Sequence, residues 1–219
     1  MGTVTIAATY GAGGSIIAPA VAERLGLPFV ERAIPVDVAA RIHQPLEEAL
    51  VDDEAVHTSP VERVLNSVLA TSGLFVGIPQ APEQLGVVPE IAQTEAALRR
   101  LADEGGAVIL GRAGVFVLKG HANVLHVRLD GDVEARRRAA VARQGIDYGR
   151  AKTIQLQTDR ARKAYVEHFY PRAGAWEDSR HYHLALDSTA ISLEVCTDVI
   201  VQVAKNVFAR SRAMSGGGS

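Results

Sequence analysis

The residues with the clearest chemical potential crowd into AATYGAGGS, residues 7–15. Gly11, Gly13 and Gly14 carry no side chain, so the backbone there can approach a ligand and turn its N–H groups toward an anion. Laid on the phosphate-loop pattern G-x-x-x-x-G-K-[ST], Gly13 takes the second glycine and Ser15 the hydroxyl position. Gly14 then falls where the lysine belongs, and Ala8 where the first glycine belongs. A hydroxyl at the Ser15 position is of the kind that ligates Mg²⁺ beside a bound nucleotide. The missing lysine leaves two readings open. One is a phosphate cradle; the other is a tight turn with no ligand.

Cations are the second feature. Of 23 basic residues, 19 are arginine, and the first lysine is Lys119. Arginine's planar fork suits bidentate contact with phosphate. Phosphoryl transfer is largely positioning and charge neutralisation, so it needs such groups and few others. Arg112 directly follows an apolar segment. Arg136, Arg137 and Arg138 are consecutive, and Arg160 and Arg162 follow Asp159 in QTDRARKAYVEHFYP. Three consecutive helical residues span most of a turn and cannot share one pocket, so most of that run reads as a solvated face. For Arg112, ion pairing and ligand binding stay equally open. His181 and His183 flank Tyr182 without a third ligand and read as surface residues. Neither G-x-S-x-G nor H-E-x-x-H occurs. The single cysteine, Cys196, rules out an internal disulfide and a cysteine-cluster metal site, and reads as a buried inert thiol. The aromatics Tyr165, Phe169, Tyr170 and Trp176 read as packing residues.

These groups need elements to hold them. VTIAAT (4–9) is an apolar, β-branched run that predicts a buried strand, and residues 15–25 have helical spacing closed by Gly26. The glycine loop therefore joins a strand to a helix, the setting in which it is worth reading as a phosphate site. Further strands are predicted at 27–31, 106–111, 123–129 and 183–187. Helices are predicted over much of 35–72, then at 89–105, 132–145, 149–169 and 191–211, with a loop over 73–88. Strands alternating with helices predict a parallel sheet covered on both faces. In such sheets ligands bind beyond the carboxyl ends of the strands, which gathers residues 10–15, 112 and the segments after 31, 129 and 187.

Bulk properties narrow the class. A chain of 219 residues with 47% hydrophobic and 22% charged content supports one domain, here residues 1–212, with SGGGS in a flexible tail (213–219). A net charge of −2 gives no global footprint for nucleic acid. The start lacks a basic leader and no apolar run reaches membrane-span length, in keeping with a cytoplasmic protein without a membrane partner. Exposed helix faces are compatible with a homodimer, and nothing in the sequence selects one.

Taken in order, four motifs resemble the cytidylate kinase-like family of P-loop nucleoside-monophosphate kinases. They are TIAATYGAGGSIIAPAVAERLGLPFVER, GGAVILGRAG, Asp159 to Arg162 followed by KAYVEHFY, and HLALDSTAISLEV. They span most of the chain and leave about 40–90 unmatched. That branch itself has glycine at the lysine position, written roughly Y-G-S-G-G, with Ala12 here in place of the serine. The resemblance implies a three-layer α/β/α fold, with a five-stranded parallel sheet and a small helical lid near 130–175. It implies ATP and Mg²⁺ as cofactors and phosphoryl transfer to CMP or dCMP. Gly11, Ala12, Gly13, Gly14 and Ser15 would hold the donor phosphates, with Ser15 toward the metal. Arg112, Asp159 and Arg162 would hold the acceptor, with Arg32 beside them. Arg160 and Arg162 would serve as the catalytic lid cations, and either of these or Lys163 could stand in for the lysine. Ala113 replaces the aspartate that follows Gly-Arg in true cytidylate kinases, and VERAIPV replaces D-S-G-A-I-Y-R, which opens the acceptor's identity. The alternatives are a nucleotide-binding protein without kinase activity and a kinase for another small acceptor.

Overall fold

The computed structural model describes residues 2–31, 87–111 and 113–216. Arg32, Arg112, the helices expected over 35–72 and most of the loop expected over 73–88 lie outside the described residues; 87 and 88 begin a helix instead.

Five strands form one sheet: β1 (Thr3–Ala8), β2 (Phe29–Glu31), β3 (Val108–Leu110), β4 (Val124–Asp130) and β5 (Leu184–Asp187). All are parallel, in the order β2-β3-β1-β4-β5. Every strand expected from the sequence is present. β1 lies at the centre, with Ile6 opposite Leu110 of β3 and Ala8 opposite Leu129 of β4. Among the described residues six α-helices surround the sheet: α1 (Gly14–Leu25), α2 (Val87–Glu104), α3 (Gly114–Val117), α4 (Val133–Gln144), α5 (Tyr148–Phe169) and α6 (Leu193–Gly216). The short α3 and a 3₁₀ turn at Ser179–His181 are additions to the sequence reading.

Strand alternation sorts the core into two layers. Val4 and Ile6 of β1, with Leu125, Val127 and Leu129 of β4, pack with α1 and α6. Ala7, Ile109 and Val124 face the opposite layer, built from α2, α3, α5 and Trp176. Both faces of β1 are thus covered, and Thr3 through Ala7 are all buried, the two threonines included.

Helix ends follow local chemistry. Gly26 closes α1 in the left-handed conformation (φ 63°), its N–H bonding the carbonyls of Ala22 and Glu23. Asp132 caps α4 by accepting from the Ala135 N–H at 2.8 Å, and Asp147 caps α5 from Arg150 at 3.0 Å. Gly145 (φ 67°) ends α4 and lets α5 turn back against it.

β1 and β4 are neighbours, yet their outgoing connections lead to opposite sides of the sheet. In open α/β sheets such a reversal is where ligands bind, beyond the carboxyl ends of the strands. The glycine loop and the Asp130–Asp132 turn both lie at this edge.

Candidate functional site

The loop after β1 is shaped by what holds its carbonyls. The Ala8 carbonyl accepts from Arg162 Nη1 at 2.7 Å, and the Tyr10 carbonyl from Arg136 Nη1 at 2.8 Å. Gly11 accepts from Arg143 Nη1 at 3.1 Å, and Ala12 from Ser188 Oγ at 2.7 Å. In a planar trans peptide the N–H points opposite to the C=O. Pulling the Tyr10 carbonyl toward Arg136 therefore turns the Gly11 N–H to the other side. Pulling the Ala12 carbonyl toward Ser188 does the same for the Gly13 N–H. Those two N–H groups, with those of Gly14 and Ser15 at the start of α1, have no partner among the described residues. Free amides at a helix N-terminus, backed by its dipole, form an anion cradle.

The glycines are required by geometry. Gly11 and Gly13 sit at φ 80° and 76°, where L side chains are strained. A Cβ on Gly11 would stand 2.3 Å from the Arg136 carbonyl oxygen. Gly14 has helical backbone, so its reason is space. A Cβ there would lie 2.7 Å from Ala8 Cβ and 3.2 Å from Leu110 Cδ1. The two departures from the phosphate-loop pattern are thus one feature: the methyl of Ala8 fills the room a lysine at 14 would need. Ser15 follows, exposed on the first turn of α1.

The arginine run differs from its sequence reading. Only Arg138 is a solvated residue; Arg136 and Arg137 are 5% and 4% exposed. The reason is that α4 is wedged between the loop and α5. Arg137 Nε donates to Gln155 of α5 at 3.0 Å and its Nη1 to Glu134 at 2.5 Å, fastening the two helices. Arg136 reaches the loop and α5 together, donating to Tyr10 O and, at 2.8 Å, to Asp159 Oδ2. The other Asp159 oxygen accepts the Tyr10 N–H at 3.0 Å. Burial pushes the Asp159 carboxyl above the ordinary carboxylate range, against the pull of the Tyr10 N–H and Arg136. Tyr10 itself is buried, its hydroxyl donating to Gln144 Oε1 at 2.6 Å.

Asp130 ends β4 beside this group. It accepts from Thr9 Oγ1 at 2.8 Å and from Arg128 Nη2 at 2.5 Å. Burial alone would make it a weaker acid, but the Arg128 guanidinium and the Thr9 hydroxyl outweigh that and hold the carboxyl below the usual range. Arg128 stacks on Trp176 at 4.4 Å, and Tyr182 donates to the Trp176 carbonyl at 2.7 Å. Trp176 and Tyr165 are buried, as their reading as packing residues required.

Of the site residues predicted from sequence, the structure brings the glycine loop, Asp159 and Arg162 together. Arg160 points to solvent and Lys163 pairs with Glu167 at 3.8 Å on the exposed side of α5. Arg136, Arg143, Asp130 and Ser188 join the site although the sequence reading did not single them out for it. The one local signal for Arg136 is its place in the first turns of the helix after a strand that ends at the ligand edge.

Strand order, glycine loop and amide cradle together define the kinase-like nucleotide-binding fold of the P-loop kinases. Within that class the chain belongs to the cytidylate kinase-like family, whose profile matches residues 3–190. An uncharacterized protein from Eubacterium ventriosum has a similar crystal structure, with a TM-score of 0.63 at 18% identity over 94% of this chain and 99% of that one. A gluconokinase from Sinorhizobium meliloti gives a TM-score of 0.45 at 18% identity, covering 100% of this chain and 98% of that one. A shikimate kinase from Acinetobacter baumannii in complex with shikimate gives 0.45 at 11% identity, covering 94% of each. No curated protein sequence matches the chain.

Proposed function

We propose that this protein transfers the terminal phosphoryl group of ATP to a nucleoside monophosphate, with CMP or dCMP the first candidates. The observation that carries the reading is the pair of peptides Tyr10–Gly11 and Ala12–Gly13. Their carbonyls are held from behind by Arg136 and Ser188, leaving amides free for phosphate oxygens. Gly11 to Ser15 would hold the donor phosphates. Mg²⁺, when bound, would neutralise charge on those phosphates, and Ser15, whose side chain is exposed, would ligate it. An oxygen of the acceptor phosphate would bond to the γ-phosphorus as the bridging bond to ADP breaks. That oxygen is already ionised near neutral pH, so no general base is required. Arg162, Arg112 and Arg32 form the proposed acceptor set; Asp159, which the resemblance would add, instead has both carboxylate oxygens bonded to the Tyr10 N–H and Arg136. Arg160, exposed on α5, would reach the phosphates only on lid closure.

A second reading, nucleotide binding without transfer, has an observation of its own. Gly14 supplies no cation, and Arg136 and Arg162 each donate to a loop carbonyl. The test is ADP release from ATP and Mg²⁺ with CMP, dCMP, UMP, AMP, GMP and no acceptor. Acceptor-dependent ADP, lost in Arg162→Ala and partly kept in Arg162→Lys, supports the kinase reading. ATP binding with no turnover on any acceptor sinks it and leaves the binding reading.

A further inference from the structure

Resting on the phosphate-cradle reading, we propose that Asp159 and Arg136 are positioning residues for the donor nucleotide, acting through the peptides on either side of Tyr10. The contacts form a closed ring. Tyr10 N–H donates to Asp159 Oδ1 at 3.0 Å, Arg136 Nη1 donates to Asp159 Oδ2 at 2.8 Å, and the same Nη1 donates to the Tyr10 carbonyl at 2.8 Å. Both backbone groups of one residue are therefore fixed by side chains from α4 and α5. Arg136 is itself anchored by Nε on the Gly131 carbonyl at 3.1 Å and lies 3.6 Å from Asp130. Tyr10 precedes Gly11, which has no Cβ to restrict its backbone and stands at φ 80°, so contacts from elsewhere must fix the peptides around it. In a loop without lysine, amide aim is the main resource for gripping a polyphosphate, so the groups that set this aim set donor affinity. Both carboxylate oxygens of Asp159 are engaged in this ring, which argues for the loop and against the acceptor as its target.

The experiment is calorimetric titration of the full chain with MgATP and separately with CMP, dCMP, UMP, AMP and GMP. The proteins are wild type, Asp159→Asn, Arg136→Lys and the double variant. Asparagine keeps an acceptor for the Tyr10 N–H but loses the charge that holds Arg136; lysine keeps charge but loses the fork. Each single variant is expected to weaken MgATP binding about 10-fold or more. The double variant should be little weaker than either single, because one ring is broken once. Affinity for any monophosphate that binds should stay within about two-fold. The Tyr10 amide proton, bonded to a carboxylate in the wild type, should move upfield in Asp159→Asn, a signature that general loosening elsewhere would not give. If Asp159→Asn fails to fold, the Arg136→Lys titrations carry the same comparison. Loss of monophosphate affinity with MgATP unchanged would make Asp159 an acceptor ligand and overturn the proposal. Equal losses on both arms, tracking a drop in Tm, would reduce the ring to a scaffold and also overturn it. Wild type that does not bind MgATP removes the cradle reading itself, an outcome distinct from either.

Discussion

Ala8 and Gly14 should behave as one unit, and this can be measured in stability alone. A Cβ on Gly14 would stand 2.7 Å from Ala8 Cβ, and β1 is the central strand, hydrogen-bonded to β3 and β4. Neither side can yield cheaply, so overpacking costs about 1–3 kcal/mol, offset by up to about 1 kcal/mol of better helix propensity. Gly14→Ala should therefore destabilise by about 1–2 kcal/mol. Ala8→Gly loses roughly 0.8 kcal/mol of methyl burial and roughly 0.5–1 kcal/mol of backbone entropy, again about 1–2 kcal/mol. In the double variant the clash disappears and the helix gain remains. It should be no less stable than Ala8→Gly alone, a coupling of about 1–3 kcal/mol. Urea unfolding of the four proteins reads this as midpoint shifts at constant slope. Additivity within about 0.5 kcal/mol would refute the argument that the alanine excludes the lysine. The functional corollary is that Gly14→Lys alone lowers stability without strengthening ATP binding, and that room for it appears only with Ala8→Gly.

Other outcomes follow from the same contacts. Gly11→Ala combines a left-handed backbone with a Cβ 2.3 Å from the Arg136 carbonyl; it should cost about 1–3 kcal/mol and abolish MgATP binding by calorimetry. Ser188→Ala removes the hydroxyl on the Ala12 carbonyl and should cost about 1 kcal/mol in urea while raising the KM for ATP more than that for the acceptor. His126 is buried, with Thr5 Oγ1 at 2.7 Å, the His183 ring at 5.0 Å and the Leu118 carbonyl beside it. Burial first, and then His183, lowers its pKa from 6.5 to about 4. The unfolded chain thus binds this proton first on acidification. The group's contribution is full above pH 6.5, declines as pH falls toward about 4, and levels below that. The difference is about 3 kcal/mol, and His126→Asn should flatten the stability profile over that window.

The fold was legible because its signals are local. β1 through β5 are short apolar runs between helical periods, and that alternation requires a parallel, doubly covered sheet. The glycine loop was legible for the same reason. What escaped were pairings across long separations. Nothing near Arg136 in sequence announces Tyr10, 126 residues away, or shows that α4 is clamped between loop and α5. An arginine run on a helix otherwise reads as solvated, and two of the three proved buried. Ser188 was passed over because a single hydroxyl after a strand has no pattern; its meaning lies in the Ala12 carbonyl. The resemblance placed Asp159 at the site, but only the geometry shows which backbone groups it touches.

The Ser188 contact has a consequence for biosynthesis. It joins residues 176 positions apart, and Leu193 of α6 packs within 2.8 Å of where a Cβ on Gly13 would stand. The proposed phosphate cradle at residues 11–15 is thus closed by residues that follow β5 and begin α6. Contacts of such separation are entropically the slowest to form. During translation the loop would stay exposed, unfinished, until residues 188–193 have been made. A fragment ending before β5 should keep helices and lose nucleotide affinity, and ligand present as β5 and α6 fold should trap the newly closed state.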